Sequence, residues 1–227
     1  DRTLLRNDVT FHIGYIADNL QWTPKSQFAE VIFNGEYQGN FQVCEQIRVD
    51  KNRVNVKELT AEDMDEPQIT GGYLLEYDSY YDEPNKFRTP INNWPVNIKE
   101  PDEKVLNKAQ LEYIENYTNT FEALLQAGEY EQVYNEYINV ESFIDYWMVQ
   151  AIVGNKEMGY IYSVYCYKDR NKKLYAGPLW DFDYTTFTTE AENNNKSAVW
   201  YKYLFKDPNF KRKVVERFYQ LKPQLIG

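Results

Sequence analysis

Leu174-Tyr175-Ala176-Gly177-Pro178-Leu179-Trp180-Asp181-Phe182-Asp183 is the stretch whose reading decides the fold of this chain. It completes a hairpin pattern. Tyr162 to Tyr167 reads as one strand, Lys168 to Lys173 as a charged, solvated turn, and Leu174 to Pro178 as the returning strand. The returning strand then delivers two carboxylates, two residues apart. In an extended segment side chains i and i+2 share a face, so Asp181 and Asp183 converge while Phe182 anchors the opposite side. Such a pair suits a hard cation, because Mg2+ takes one or two carboxylates and completes its shell with water and phosphate oxygens. Spacing alone equally accommodates two aspartates that cap turns or face water.

Composition narrows the chemistry around that pair. Among 227 residues, 35 are acidic and 25 basic, for a formal charge of -10, with one histidine and two cysteines. A catalytic zinc site needs two or three imidazoles, and a structural one usually four Cys or His ligands. A histidine-dependent triad has only His12, expected as a partly buried residue of an N-terminal helix. Carboxylates are left to do the chemistry. The acidic excess argues against nucleic acid as a partner, since that affinity rests on Lys and Arg. No apolar run approaches the ~20 residues of a membrane span. Cys44 and Cys166 are expected as small apolar core residues rather than a disulfide. The opening Asp1-Arg2-Thr3, in place of a start methionine, is expected of a mature or trimmed form.

Outward from the hairpin the periodicity changes twice. The first eighteen residues carry apolar positions at helical spacing. Phe28 to Phe33 and Tyr37 to Ile47 read as strands joined at Asn34-Gly35, a turn that supplies positive φ cheaply. Tyr73 to Tyr77 and Val96 to Lys99 read as further strands, with acidic surface loops at Ala61–Pro67 and Asp78–Pro84. From Pro101 onward helices dominate: Asp102 to Gln126 closed by Gly128, Val140 to Val153 behind a polar cap at Asn139, and Pro208 to Leu221 after a polar loop at Glu190–Ser197. Antiparallel strands with segregated helices make an α+β fold. The expected organisation is one domain over 1–227, with a mainly β part (1–100, including the first helix) and a mainly helical part (101–227) that holds the 162–183 hairpin and the site. A Rossmann-type sheet is not expected, since regular strand–helix alternation and a Gly-x-Gly-x-x-Gly turn are both missing.

The stretch Leu174 to Asp183, preceded by Ser163-Val-Tyr-Cys-Tyr-Lys168, resembles the hallmark of the CotH family, the spore-coat protein H-like atypical kinases. Three further stretches resemble the same family in the same order: Asp1-Arg-Thr-Leu-Leu-Arg-Asn7, Phe33-Asn-Gly-Glu-Tyr-Gln-Gly-Asn-Phe41 with Glu45-Gln46-Ile47 and Val49-Asp50-Lys51, and Gly71-Gly-Tyr-Leu-Leu-Glu76. The resemblance implies a divergent protein-kinase-like fold. It implies transfer of the ATP γ-phosphoryl group to Ser or Thr of a surface or coat protein, with Mg2+ or Mn2+, by an exported or cell-surface protein. Asp181 then resembles the family's metal-binding aspartate, with Asp183 as an auxiliary ligand. The family's catalytic aspartate stands in an Asn-x-Asp context at a helix end; here that context is Asn155-Lys156-Glu157, so Glu157 takes its place with one more methylene. The resemblance also implies upstream strands and basic residues, so that the chain enters the family domain part way.

Phosphoryl transfer asks the protein mainly to position groups and neutralise spreading charge, which carboxylate-held metal can do without histidine. Glu45, Arg48, Lys99 and Asn155 are candidate nucleotide contacts, with Arg6 a further candidate for phosphate. Each equally fits a surface or structural ion pair. The aromatic load of 21 Tyr, 12 Phe and 5 Trp, with Tyr77, Tyr80, Tyr81, Tyr160 and Tyr162 near loops, supports an alternative. That alternative is a non-catalytic adhesion or carbohydrate-associated module of the same fold. A carboxylate-pair glycosidase would need two acids roughly 5–9.5 Å apart beside an aromatic groove.

Overall fold

The computed structural model describes residues 4–188 and 195–226. Helix α1 (Arg6–Ile16) leads into a detached hairpin of β1 (Ser26–Phe33) and β2 (Glu36–Cys44), turned at Asn34-Gly35 as the sequence predicts. A five-stranded antiparallel sheet follows. Its strands are β3 (Tyr73–Tyr77), β4 (Lys86–Arg88), β5 (Pro95–Glu100), β6 (Val164–Lys168) and β7 (Leu174–Ala176), in the order β4-β5-β3-β6-β7. The central strand β3 pairs Leu75 with Ile98 on one side and with Cys166 on the other.

All five residues of β3 are buried, because both faces of a central strand are covered. Tyr73, Leu75 and Tyr77 face the main core, while Leu74 joins Tyr165 and Tyr167 in a second cluster under the 47–56 segment. The main core is closed by helices. These are α2 (Lys108–Ala127), α3 (Tyr130–Gln132) running into a π-helical turn at Val133–Tyr137, α4 (Val140–Val153), the short α5 (Glu157–Tyr160) and α6 (Tyr201–Leu204), and α7 (Pro208–Ile226). Trp200 is its hub, with ring centroids 4.9 Å from Tyr77 and 5.1 Å from Phe143. Mixed antiparallel strands and helices bear out the α+β class.

Several expectations are corrected. Helix α2 starts six residues later than the apolar spacing suggests. Asp102 folds its own turn, accepting from the Lys104 backbone, and the helix begins at a capping box in which Asn107 and Gln110 cap one another. Cys166 is buried as expected, but Cys44 is exposed on the hairpin; both thiols are free. His12 is exposed on α1 rather than partly buried. Lys168 is not part of a solvated turn: it ends β6, 2% exposed, with its ammonium donating to the carbonyls of Thr70 and Lys172 and lying 4.8 Å from the Tyr117 ring centre. The polar loop expected at Glu190–Ser197 lies mostly outside the described residues; Asn195–Ser197 is a short helical turn.

Candidate functional site

Three chain segments meet at one end of the five-stranded sheet. The first leaves β3, the second leaves α4, and the third follows β7. Together they form a cleft of 770 Å³ lined by Glu76, Asp78, Tyr80, Asp82, Glu83, Lys99, Glu157, Tyr160, Tyr162, Ser163, Asp181 and Tyr184.

Helix α4 ends at Gly154 in the left-handed conformation (φ 67°), which turns the chain sharply toward the cleft. Asn155 then folds an Asx turn, its Oδ1 accepting from the Glu157 backbone N–H at 3.0 Å. The turn presents Glu157 to the cleft. One carboxyl oxygen of Glu157, Oε2, is buried without a hydrogen-bond partner. Burial first, then the charges of Asp181, Asp183 and Asp78, push the Glu157 carboxyl up to about 7. A group that titrates near neutrality is suited to proton transfer.

Asp181 and Asp183 do come together, but not through an extended backbone. Asp181 is left-handed (φ 60°), a conformation uncommon outside glycine and tolerated by Asp and Asn. Phe182 is fully buried and packs edge-on against Phe11, which fixes the turn from behind. Helix α1 holds it from the side: Phe182 N–H donates to Asn7 Oδ1 at 2.7 Å, and Arg6 Nη1 donates to the carbonyls of Asp183 (2.8 Å) and Tyr184 (3.1 Å). Arg6 thereby serves the loop backbone. Burial, then the charge of Asp183 and a hydrogen bond that the protonated Asp181 carboxyl donates to it, raise the Asp181 carboxyl above the ordinary range.

Lys99 enters from β5 and lies between two acids, 3.5 Å from Glu76 and bonded to Glu83. Burial opposes its charge, but Glu83 and Glu76 outweigh it and raise the ammonium. Glu76 sits on the strand paired to β5; burial raises its carboxyl against the opposing pull of Tyr165 and Lys99. Asp78, expected on a surface loop, is 6% exposed. Its two oxygens accept from the backbone N–H groups of Tyr80 (2.7 Å) and Ser163 (2.9 Å), tying the first segment to the second.

Of the residues singled out from sequence, Glu157, Asp181 and Lys99 line this cleft, and Asp183 bonds to Asp181. Asn155 lies behind Glu157 with its side chain turned inward. Its Nδ2 donates to Gln150 at 2.8 Å and its Oδ1 is taken by Glu157 and Thr185. Glu45 lines a different cleft, between α1 and the β1–β2 hairpin, where it accepts from the Lys25 backbone at 3.0 Å. Arg48 is exposed and pairs with Asp50 at 3.8 Å. Glu76, Asp78 and Glu83 were missed. The available signal was a carboxylate inside an otherwise apolar strand, Tyr73-Leu-Leu-Glu-Tyr77, followed at once by Asp78.

Among the described residues no three His, Cys, Asp or Glu side chains converge as a ready-made metal cage. The donor set therefore does not suit Zn2+ or a Ca2+ cage. It does suit Mg2+ or Mn2+ arriving with a nucleotide: two adjoining oxygen donors at Asp181 and Asp183, and an unpartnered carboxyl oxygen opposite them. Among the described lining residues Lys99 is the one cation, so a divalent cation held there would offset the acidic charge facing an anionic ligand.

No curated protein matches the chain. A family model described as CotH kinase protein matches residues 1–226, nearly its full length. That family is kinase-like, consistent with the α+β architecture and a carboxylate-lined cleft at the sheet end. The chain belongs to the CotH kinase protein family.

Proposed function

We propose that this protein is a metal-dependent phosphotransferase. On this reading it moves the γ-phosphoryl group of ATP to a Ser or Thr hydroxyl of a protein. The observation that carries the reading is the meeting of Glu157 and Asp181 in one cleft, with Asp183 beside Asp181 and the Glu157 carboxyl pushed up to about 7 by burial and by its acidic neighbours. Asp181 and Asp183 would hold Mg2+ or Mn2+, whose chemistry is to neutralise phosphate charge and orient the nucleotide. Lys99, held in place by Glu76 and Glu83, offers a charge to the phosphates. Glu157 accepts the proton of the incoming hydroxyl, its carboxyl lining the cleft beside Asp181. Phe182, buried behind the pair, and the α1 contacts fix the metal-binding turn before substrate arrives. Among the described residues no helix is long and apolar enough to cross a membrane. A surface or coat location and a coat-protein substrate remain part of the proposal.

The test is thermal stability with a non-hydrolysable ATP analogue, with and without Mg2+ or Mn2+. The expected result is stabilisation that requires both nucleotide and metal and disappears in Asp181→Ala. No shift at millimolar nucleotide and metal would refute nucleotide binding here. A second reading has its own support: Tyr80 and Tyr162 lie at the cleft with ring centroids 5.2 Å apart and tilted by 35°, beside Tyr160, an aromatic surface of the kind that holds sugars. A glycan array separates it, since saccharide binding without metal-nucleotide binding favours the adhesion module.

A further inference from the structure

We propose that Thr185 is a positioning residue, whose hydroxyl clasps the Glu157 loop to the Asp181–Asp183 loop. The proposal rests on the reading of Glu157 and Asp181 as the working acids of one site. The two loops come from distant parts of the chain, one after α4 and one after β7, and their relative placement sets the gap between base and metal pair. Thr185 Oγ1 donates to Asn155 Oδ1 at 2.8 Å and accepts from the Lys156 backbone N–H at 3.0 Å. The same Asn155 oxygen accepts from the Glu157 N–H at 3.0 Å. One hydroxyl therefore closes a ring of hydrogen bonds through the backbone that presents Glu157.

The Asn155 end of the clasp is rigid. Asn155 and Gln150 are 3% and 1% exposed, and Asn155 Nδ2 donates to Gln150 Oε1 at 2.8 Å. This bond fixes which edge of the amide faces Thr185, so Asn155 Oδ1 is committed as an acceptor for both loops. The other end is anchored beside the acids: Thr186 Oγ1 donates to the Phe182 carbonyl, immediately between Asp181 and Asp183. A backbone bond, Phe187 N–H to the Val153 carbonyl at 2.9 Å, holds the same loop without using the Thr185 hydroxyl. Loss of the hydroxyl should thus loosen the registry of the acids without releasing the loop. A misplacement of about 1 Å in such a constellation costs roughly a hundredfold in rate.

The experiment compares Thr185→Val, which keeps the shape and removes the hydroxyl, with Thr185→Ser, which restores it. Two readouts are taken on the full chain: amide hydrogen exchange at Lys156, followed by NMR, and phosphotransfer from ATP with Mg2+. In Thr185→Val the Lys156 amide should exchange about tenfold faster, and kcat should fall about 10- to 100-fold with KM for ATP within about twofold. Thr185→Ser should return both toward the unmodified protein. Unchanged Lys156 exchange in folded Thr185→Val, or failure of Thr185→Ser to restore it, overturns the clasp. So does a KM rise that accounts for the whole loss. Should Thr185→Val not fold, Thr185→Ala removes the same hydroxyl with less bulk and is judged by the same criteria. If the unmodified protein transfers no phosphate, the phosphotransferase reading fails, and the Lys156 exchange still decides the clasp.

Discussion

Replacing Glu157 with Gln should make the metal-free protein more stable at alkaline pH while removing its chemistry. The Glu157 carboxyl is pushed from an ordinary value of 4.5 to about 7 by burial and by Asp181, Asp183 and Asp78. A carboxyl raised on folding releases its proton sooner in the unfolded chain, so stability is lost as pH climbs from about 4.5 through about 7. At full value that gap corresponds to about 3.4 kcal/mol. Because Glu157 is only partly buried, screening reduces it to about 1–2 kcal/mol. For a chain of this size the gain is about 3–6 °C in melting temperature. Thermal melts in EDTA from pH 4.5 to 8.5 check it: Glu157→Gln should melt higher at pH 8, and the two proteins should converge below pH 5. Equal or lower stability of Glu157→Gln at pH 8 would show that burial and the acidic neighbours do not raise the Glu157 carboxyl in this cleft.

Other perturbations follow from the same contacts. Asp181→Asn should weaken metal-dependent nucleotide binding by about tenfold, on the order of 1.4 kcal/mol, measured by titration calorimetry with Mn2+. Arg217→Ala should cost about 3–5 kcal/mol in urea unfolding, because Asp145 is fully buried and loses two donors at 2.8 Å; a loss under 1 kcal/mol would count against that ion pair as the tie between α4 and α7. Gly71→Ala should destabilise by about 1–3 kcal/mol or more, since a Cβ there would overlap the backbone of Asp169 and Arg170; an unchanged denaturation midpoint would contradict that packing.

Much of the architecture was legible where local chemistry decides the outcome. The Asn34-Gly35 hairpin, strand Tyr73–Tyr77 and helix Val140–Val153 all sit within a few residues of their sequence-based bounds. Tertiary effects were not legible. Nothing local distinguishes Lys168 from its solvated neighbours, because its burial depends on the Thr70 carbonyl a hundred residues away and on the Tyr117 ring. The three key acids were visible as a motif, yet the expected extended geometry was wrong. A left-handed Asp181 held by Asn7 and Phe182 is a product of packing against α1. Glu76, Asp78 and Glu83 escaped notice for the same reason. Their place in the cleft comes from antiparallel pairing of β3 with β5 and β6, and no spacing along the chain encodes that pairing.

The central claim is tested most directly by incubating the protein with γ-labelled ATP, Mg2+ or Mn2+, and a mixture of Ser- and Thr-containing protein acceptors. The account predicts label on Ser or Thr that requires the metal, is lost in Asp181→Ala, and is lost in Glu157→Gln while nucleotide binding persists. Binding of the metal-nucleotide complex with no transferred label under any of these conditions would contradict it.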